Sequence, residues 1–480
     1  MRFRFPLTVS RLPCLIAGAV GALALPPVFL FPCILVSYAY LCYAIWQAVT
    51  PRQAFWLSWW WGLGYFLAGL YWICISLTVD LVRFGWMIPF ALFGLNGLFA
   101  LFPAIAGYVG KRYAASGKRF GRILQSGIGY ALPVLLVFLS EWLRGHILTG
   151  FPWNLAGYSW LALDGLARWF AWIGIYPLTA VTLILSACLA YGAWQRKWRW
   201  CVSAVAIPII CWGIGVTAPY SKNPTIPLRA RMIQANIPQS LKWDEAFQLE
   251  ALRKHIALSR LEGQEEADVI LWPESSYPYV IQLDQPVPPI LTEWLLPHQR
   301  LIFGAVTADN DRKAYYNSVV QITPDGVIES VYHKHHLVPF GEYVPLRQWL
   351  PLDRIAPGSV DFTEAGSVLP MRISTEVVAQ PLICYESIFP DYSNSPESQL
   401  LINVTNDAWF GHSSGPYQHL QMARARAIEQ QKPMLRVANT GISAVIDAHG
   451  NILEWLPLNT SGVIDVDLRR NETLTRSIQD

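Results

Sequence analysis

The stretch P-L-I-C-Y-E, Pro381 to Glu386, closes an apolar run that begins near Val377 and carries Cys384, the one cysteine outside the hydrophobic first half of the chain. An apolar strand that stops at Cys and continues Tyr-Glu-Ser-Ile presents the sulfur at a strand-to-helix turn, where a thiolate is a strong nucleophile. A free cysteine also reads as a small buried hydrophobe. The surrounding chain decides between the two.

Over 480 residues the hydrophobic content is 53% and the charged content only 14%, too apolar for an ordinary soluble protein. The excess is confined to Leu12–Thr217, whereas from Ile226 onward charged residues are frequent and apolar runs shrink to strand length. The composition divides the chain into residues 1–218, a linker at 219–227 built on P-Y-S-K-N-P-T (Pro219 to Thr225), and residues 228–480. A net charge of +3 and no long basic run in the second half disfavour nucleic acid as a partner. The other seven cysteines sit in apolar segments without repeated C-x-x-C spacing, which argues against disulfides and metal sites.

About 20 apolar residues carry a helix across the hydrocarbon core. Seven segments qualify: about 12 to 30, 33 to 49, 55 to 78, 85 to 109, 125 to 143, 170 to 193 and 200 to 217. Arg2, Arg4 and Arg11, then Arg52, then Lys111, Arg112, Lys118, Arg119 and Arg122, then Arg196, Lys197 and Arg199 fall on one side. That bias predicts a multi-span membrane domain with a cytoplasmic N-terminus and everything after residue 217 on the outer side. Charged residues fall only at span ends, which disfavours ion-coupled transport. The outer loop E-W-L-R-G-H-I-L-T-G-F-P-W-N-L-A-G-Y, Glu141 to Tyr158, is aromatic. It reads either as an interfacial belt or as a lipid-contacting rim.

The second half alternates short β-rich runs with helical patterns and predicts a layered α/β domain. Strands are expected at 231–237, 268–272, 301–306, 316–322, 326–332, 376–383, 399–405, 434–439 and 443–447, and helices at 244–264, 288–298 and 417–431. Three strands end in a chemically capable residue: D-V-I-L-W-P-E delivers Glu274, V-I-E-S-V-Y-H-K delivers Lys334, and V-V-A-Q-P-L-I-C delivers Cys384. Strand carboxyl ends form the usual crevice of layered α/β domains, so carboxylate, ammonium and thiol can meet there. Glu274 then serves as base, Lys334 stabilises thiolate and oxyanion, Cys384 attacks a carbonyl, and the Tyr385 N–H is a second oxyanion donor. Each also has a structural reading as a solvated carboxylate, a surface lysine or a core thiol. The run Y-H-K-H-H, Tyr332 to His336, raises a metal site, but adjacent residues on an extended chain point to opposite faces.

Together, W-P-E at 272–274, Y-x-K at 332–334 followed by H-L-V-P-F-G-E-Y-V-P, and C-Y-E at 384–386 resemble the Glu-Lys-Cys site of the nitrilase or carbon-nitrogen hydrolase superfamily. With the preceding spans and the G-F-P-W-N loop, the whole chain resembles the bacterial apolipoprotein N-acyltransferases. The resemblance implies a nitrilase-like αββα sandwich facing the periplasm of the inner membrane, and no cofactor or metal. It implies two-step acyl transfer: from a phospholipid, commonly phosphatidylethanolamine, to Cys384 as a thioester, then to the α-amino group of a diacylglyceryl-cysteine at the N-terminus of an apolipoprotein. It also implies active-site support from Glu342, Tyr385 and Glu386, and lipid contacts at Trp243 and Trp153. Read from the residues alone, the alternative for Glu342, less favoured than function, is an ion pair with Lys334, and for Trp243 a helix-packing residue. Members of that family finish with a further membrane helix, which these 480 residues do not include. The competing reading is a membrane-anchored nitrilase-type amidase that uses water as acceptor.

Overall fold

The computed structural model describes residues 9–115, 128–219, 222–242, 244–309, 311, 313–349, 360–469 and 474–479. The chain divides into two compact units: residues 1–74 with 85–219, and residues 220–480, with which residues 75–84 group.

The first half of the chain, residues 75–84 included, is helical. Its helices are Arg11–Ala22, Phe31–Gln47, Pro51–Leu70 with a 3-10 continuation Tyr71–Thr78, a broken run from Leu81 to Ala115, Ile128–His146, Ile175–Gln195 and Trp198–Thr217. The first is shorter than the apolar composition predicts, because Pro26 and Pro27 lack the N–H groups a longer helix needs. At Pro51 the opposite logic holds: proline at the first helical position costs nothing, and Thr50 Oγ1 accepts the Gln53 N–H at 3.1 Å. Among the described residues four helices are long and apolar enough to cross a bilayer, Pro51–Thr78, Leu81–Ala114, Ile175–Gln195 and Trp198–Thr217. Large apolar side chains such as Val205, Ile209 and Ile210 lie on their exposed surface, where only lipid would shield them. Glycine brings the Arg11–Ala22 and Pro51–Leu70 helices together. A Cβ on Gly18 would stand 1.9 Å from the Trp61 carbonyl oxygen, and one on Gly64 2.0 Å from that of Leu15.

The second unit is a two-sheet sandwich. Its strands are β1 (Arg229–Gln234), β2 (Val269–Leu271), β3 (Tyr277–Gln282), β4 (Arg300–Ala308), β5 (Tyr315–Ile322), β6 (Ile328–His333), β7 (Met371–Arg372), β8 (Val378–Ile383), β9 (Leu400–Thr405), β10 (Met434–Ala438), β11 (Ser443–Ile446), β12 (Ile452–Leu456), β13 (Gly462–Asp467) and β14 (Leu474–Gln479). One sheet runs β14-β13-β1-β2-β4-β5-β6 with β3 also on β4, and the other β12-β11-β10-β9-β8-β7. The neighbours β1/β2, β2/β4, β8/β9 and β9/β10 are parallel. Parallel pairs need crossovers, and two helices supply the outer layers.

Apolar side chains of both inner faces, among them Met232, Leu271, Ile302, Ile383, Ile402, Leu435 and Ile464, form the central core. Leu252 and Leu258 of the helix Glu245–Ser259 pack on the outer face of the larger sheet with Ile270 and Trp272. Leu420, Ala423 and Ala427 of the helix Gly415–Gln430 cover the smaller sheet. Strands buried on both faces read as continuous apolar runs, which is why β8 and β9 were legible. The helix expected at 288–298 is only a 3-10 turn, Pro289–Leu291, and Pro297 denies a donor where a longer helix would need one.

Candidate active site

Three strand ends of the sandwich meet at one place. β2 and β3 both pair with β4, and the five residues between them, Trp272–Ser276, leave the ladder as a bulge that carries Glu274. Pro273 cannot donate to the ladder, while its carbonyl accepts the Gly304 N–H at 3.2 Å. Gly304 on β4 has to lack a side chain: a Cβ would lie 2.5 Å from the Ser275 nitrogen and 2.6 Å from the Glu274 Cα. Glu274 is therefore held by backbone packed directly on backbone.

Lys334 follows β6, and its N–H donates to the Asn317 carbonyl on β5 at 2.8 Å. Its Nζ lies 2.9 Å from Glu342 Oε2 and 3.7 Å from Glu274 Oε1. Asn317 Nδ2 donates to both carboxylates, at 2.8 Å to Glu274 and 2.7 Å to Glu342, and the Val338 N–H donates to Glu342 at 2.8 Å. All four side chains are buried. Burial alone would lower the Lys334 pKa, but Glu342 and Glu274 raise it well above the ordinary lysine range, so Lys334 is a fixed cation.

Cys384 opens the 3-10 helix Cys384–Ile388 directly after β8, with φ of 47°. A non-glycine residue in the left-handed region stores about 1–3 kcal/mol, which the surrounding packing has to offset. Burial, then the neighbouring Glu274 carboxylate, pushes the thiol well above its ordinary range, against the opposing pull of Lys334. A thiol held protonated at rest needs a base at the moment of attack.

Glu386 ties the two sheets together beneath this site. Its Oε1 accepts from the His335 N–H at 2.7 Å and the His336 N–H at 3.3 Å, just past Lys334. Its Oε2 accepts from the Ile383 N–H at 2.7 Å and the Tyr332 hydroxyl at 3.2 Å, next to Cys384. Burial raises its pKa to about 7 even though these donors favour the charged form. The group therefore binds its proton more tightly folded than unfolded, where the value is about 4.3. Its contribution to stability is complete below that value and is lost as pH rises through about 7. In Glu386→Gln the amide nitrogen placed at Oε2 would meet the Ile383 N–H with no lone pair, so the variant should melt lower. The wild-type advantage should shrink between about pH 5 and 7.5, by at most about 1.4 kcal/mol per unit. Melting curves of both proteins across that range check it; a constant advantage would remove Glu386 as the titrating group.

Residues without a legible signal complete the site. Lys242, buried, donates from Nζ to the Glu274 carbonyl at 2.9 Å, and burial lowers it to about 8 although Glu274 and Cys384 act in the other direction. Behind the thiol, Asp407 Oδ1 accepts from Thr405 Oγ1 at 2.9 Å and lies 2.8 Å from His419 Nδ1, while Oδ2 lies 2.6 Å from Arg436 Nη2. Burial opposes the charge on Asp407, but Arg436 and His419 hold its pKa down at about 2. Donor atoms of Cys384, Asp407 and His419 lie within 4.8 Å of one another, a spacing that suits a metal ion. Both Asp407 oxygens are already hydrogen-bonded, however, and the Arg436 guanidinium opposes a second cation there. The array is a hydrogen-bonded support. The histidines of Y-H-K-H-H diverge, toward Ser318 Oγ from His333, the Ala365 carbonyl from His335 and the Tyr392 hydroxyl from His336.

Of the remaining expected residues, Tyr385 is buried one position past the thiol, with its ring 5.5 Å from that of His336. Trp153 is only 1% exposed: its ring packs 4.7 Å from Trp72, and its carbonyl accepts from Arg144 Nη1 at 2.8 Å. Arg144, paired with Glu141 at 2.5 Å, anchors this loop by its carbonyls. Trp243 lies outside the described residues.

A cysteine on a strained turn, a buried carboxylate bulge and a lysine clamped by two glutamates lie together in a two-sheet sandwich of the nitrilase type. Residues 229–475 match the carbon-nitrogen hydrolase family, and residues 17–188 the apolipoprotein N-acyltransferase N-terminal domain. The apolipoprotein N-acyltransferase of Caulobacter vibrioides is 38% identical over 95% of this chain and 88% of its own length, and that of Rickettsia prowazekii 35% over 94% and 90%. The chain belongs to the apolipoprotein N-acyltransferase family. Solved structures similar to the second unit include a carbon-nitrogen hydrolase superfamily protein from Xanthomonas campestris with an arsenic adduct in its active site. It is 19% identical, has a TM-score of 0.37, and covers 52% of this chain and 90% of its own. Another is Nit3 of Saccharomyces cerevisiae, a branch 10 member of the nitrilase superfamily, at 14% identity, TM-score 0.38, and 52% and 90% coverage.

Proposed function

We propose that Cys384 is the residue on which this N-acyltransferase carries its acyl group, with Glu274 as base and Lys334 as oxyanion partner. The observation that supports it is the convergence of the three side chains around a thiol that rests protonated. Glu274 takes the thiol proton as sulfur attacks the ester carbonyl of a phospholipid, and the oxyanion rests between the Lys334 ammonium and the Tyr385 N–H. Collapse expels the lysophospholipid alkoxide, which receives the proton from Glu274, and leaves the thioester. The α-amine of the diacylglyceryl-cysteine then attacks, Glu274 accepts its proton, and the amide forms as the thiolate leaves and is reprotonated. Glu342 keeps Lys334 in place, and Glu386 holds the turn on which Cys384 and Tyr385 sit.

The donor proposed is phosphatidylethanolamine, and the N-terminus is placed in the cytoplasm, with residues 1–218 crossing the inner membrane seven times and residues 228–480 in the periplasm. The loop bias in Lys and Arg supports that orientation. Trp243 stands as a lipid contact on the resemblance alone. Hydrolysis to a free acid, as in an amidase, is disfavoured by the bilayer-length helices, which a soluble substrate would not require. Intact-mass measurement of the full chain incubated with phosphatidylethanolamine should show one added acyl mass, discharged by an acceptor lipopeptide. Discharge at equal rate by water alone would overturn the transferase reading.

A further inference from the structure

His419 stands directly behind the nucleophile, in the helix Gly415–Gln430 rather than on any strand end. It is fully buried, and both ring nitrogens have polar partners, Arg436 Nη2 at 3.2 Å from Nδ1 among them. Nδ1 lies 2.8 Å from Asp407 Oδ1, and Nε2 lies 3.0 Å from the Cys384 carbonyl oxygen and 2.9 Å from Ser387 Oγ. Ser387 Oγ donates to the same Cys384 carbonyl at 3.0 Å. A carbonyl has no proton to give, so the proton of this contact is assigned to Nε2, which then donates to it. Asp407 in turn is clamped by Arg436 and Thr405, so the imidazole is aimed by a rigid, buried array.

The held carbonyl belongs to the peptide unit that joins Cys384 to Tyr385. That unit is planar and trans, so its C=O and the Tyr385 N–H point in opposite directions. Fixing the oxygen toward His419 and Ser387 therefore fixes the N–H toward the opposite side. The left-handed φ of Cys384 is a sparsely populated conformation that relaxes unless such contacts hold it.

We infer that His419 is a positioning residue that, with Ser387, locks the Cys384–Tyr385 peptide so that the Tyr385 N–H is aimed at the developing oxyanion. The inference rests on the reading of Cys384 as the acylated residue, and the clamp serves the carbonyl chemistry rather than the thiol itself.

Two rates on the full chain in detergent separate these roles. One is single-turnover thioester formation from phosphatidylethanolamine in mixed detergent micelles; the other is alkylation of Cys384 by iodoacetamide, in which the sulfur displaces iodide at a saturated carbon without forming an oxyanion. His419→Leu should slow acylation by at least about tenfold in kcat with little change in KM, and leave alkylation within about threefold of wild type. Ser387→Ala, which removes a neutral hydroxyl, should show a smaller loss of the same kind. His419→Gln, which keeps a donor near Nε2, should recover most of the acylation rate. Parallel loss of both rates, or unchanged acylation in both His419→Leu and Ser387→Ala, would overturn the clamp. Absence of a thioester in the wild-type chain would instead remove the acyl-enzyme reading on which it rests.

Discussion

Cys384→Ala should abolish acyl transfer, by about 10⁴-fold or more, with no acyl mass on the purified chain and normal membrane insertion. The size follows from the chemistry: without sulfur there is no covalent route, and direct aminolysis would require two lipids to meet at one carbonyl. Cys384→Ser should be nearly as inactive. An alcohol ionises far less readily than a thiol, and the site already suppresses the charged form by burial and by the Glu274 carboxylate. Both substitutions reduce a volume inside the central core, so a modest drop in melting temperature is expected alongside. Transfer at the wild-type rate by Cys384→Ala would end the mechanism.

Lys334→Met carries the second large effect, and it separates activity from stability. The substitution leaves Glu274 and Glu342 buried and bridged by Asn317 with no cation between them. Removing one partner of a buried ion pair costs about 3–5 kcal/mol. One carboxyl is then expected to take up a proton, which also disables Glu274 as a base. Thioester formation should fall by about 10²–10³-fold or more, since an oxyanion donor is lost as well. Adding Glu342→Gln to Lys334→Met removes one uncompensated charge. The double variant should regain part of the melting temperature while thioester formation stays low. Recovery of acylation in the double variant would show that Lys334 only neutralises Glu342.

Much of this protein was legible along the chain because its signals are local. Apolar helices of bilayer length, strands buried on both faces such as β8 and β9, and the strand-end residues Glu274, Lys334 and Cys384 announce themselves by composition and by where an apolar run stops. Strands β12 to β14 were not expected. They are short, partly polar runs, and their strand identity comes from pairing with one another and with β1 and β11.

The supporting residues were hidden for a related reason. Asn317 lies mid-strand, Lys242 in a loop, and Asp407, His419 and Arg436 on three separate elements. Apart from Thr405 beside Asp407, none has a neighbour in sequence that shares its task. Trp153 shows the limit from the other side: composition marks it only as a loop aromatic, and its packing against Trp72 is set by the folded chain.

For P-L-I-C-Y-E itself, the order of residues was enough to determine that a thiol would stand at the end of a buried strand, because an apolar run broken by Cys-Tyr-Glu allows little else. Which way that thiol and the next N–H point was decided only in the folded chain. Glu386 joins the β6 end to the β8 end, and His419 reaches the Cys384 carbonyl from a helix 35 residues away. Such contacts form only once both sheets and the covering helix have packed, so no segment read alone can contain them.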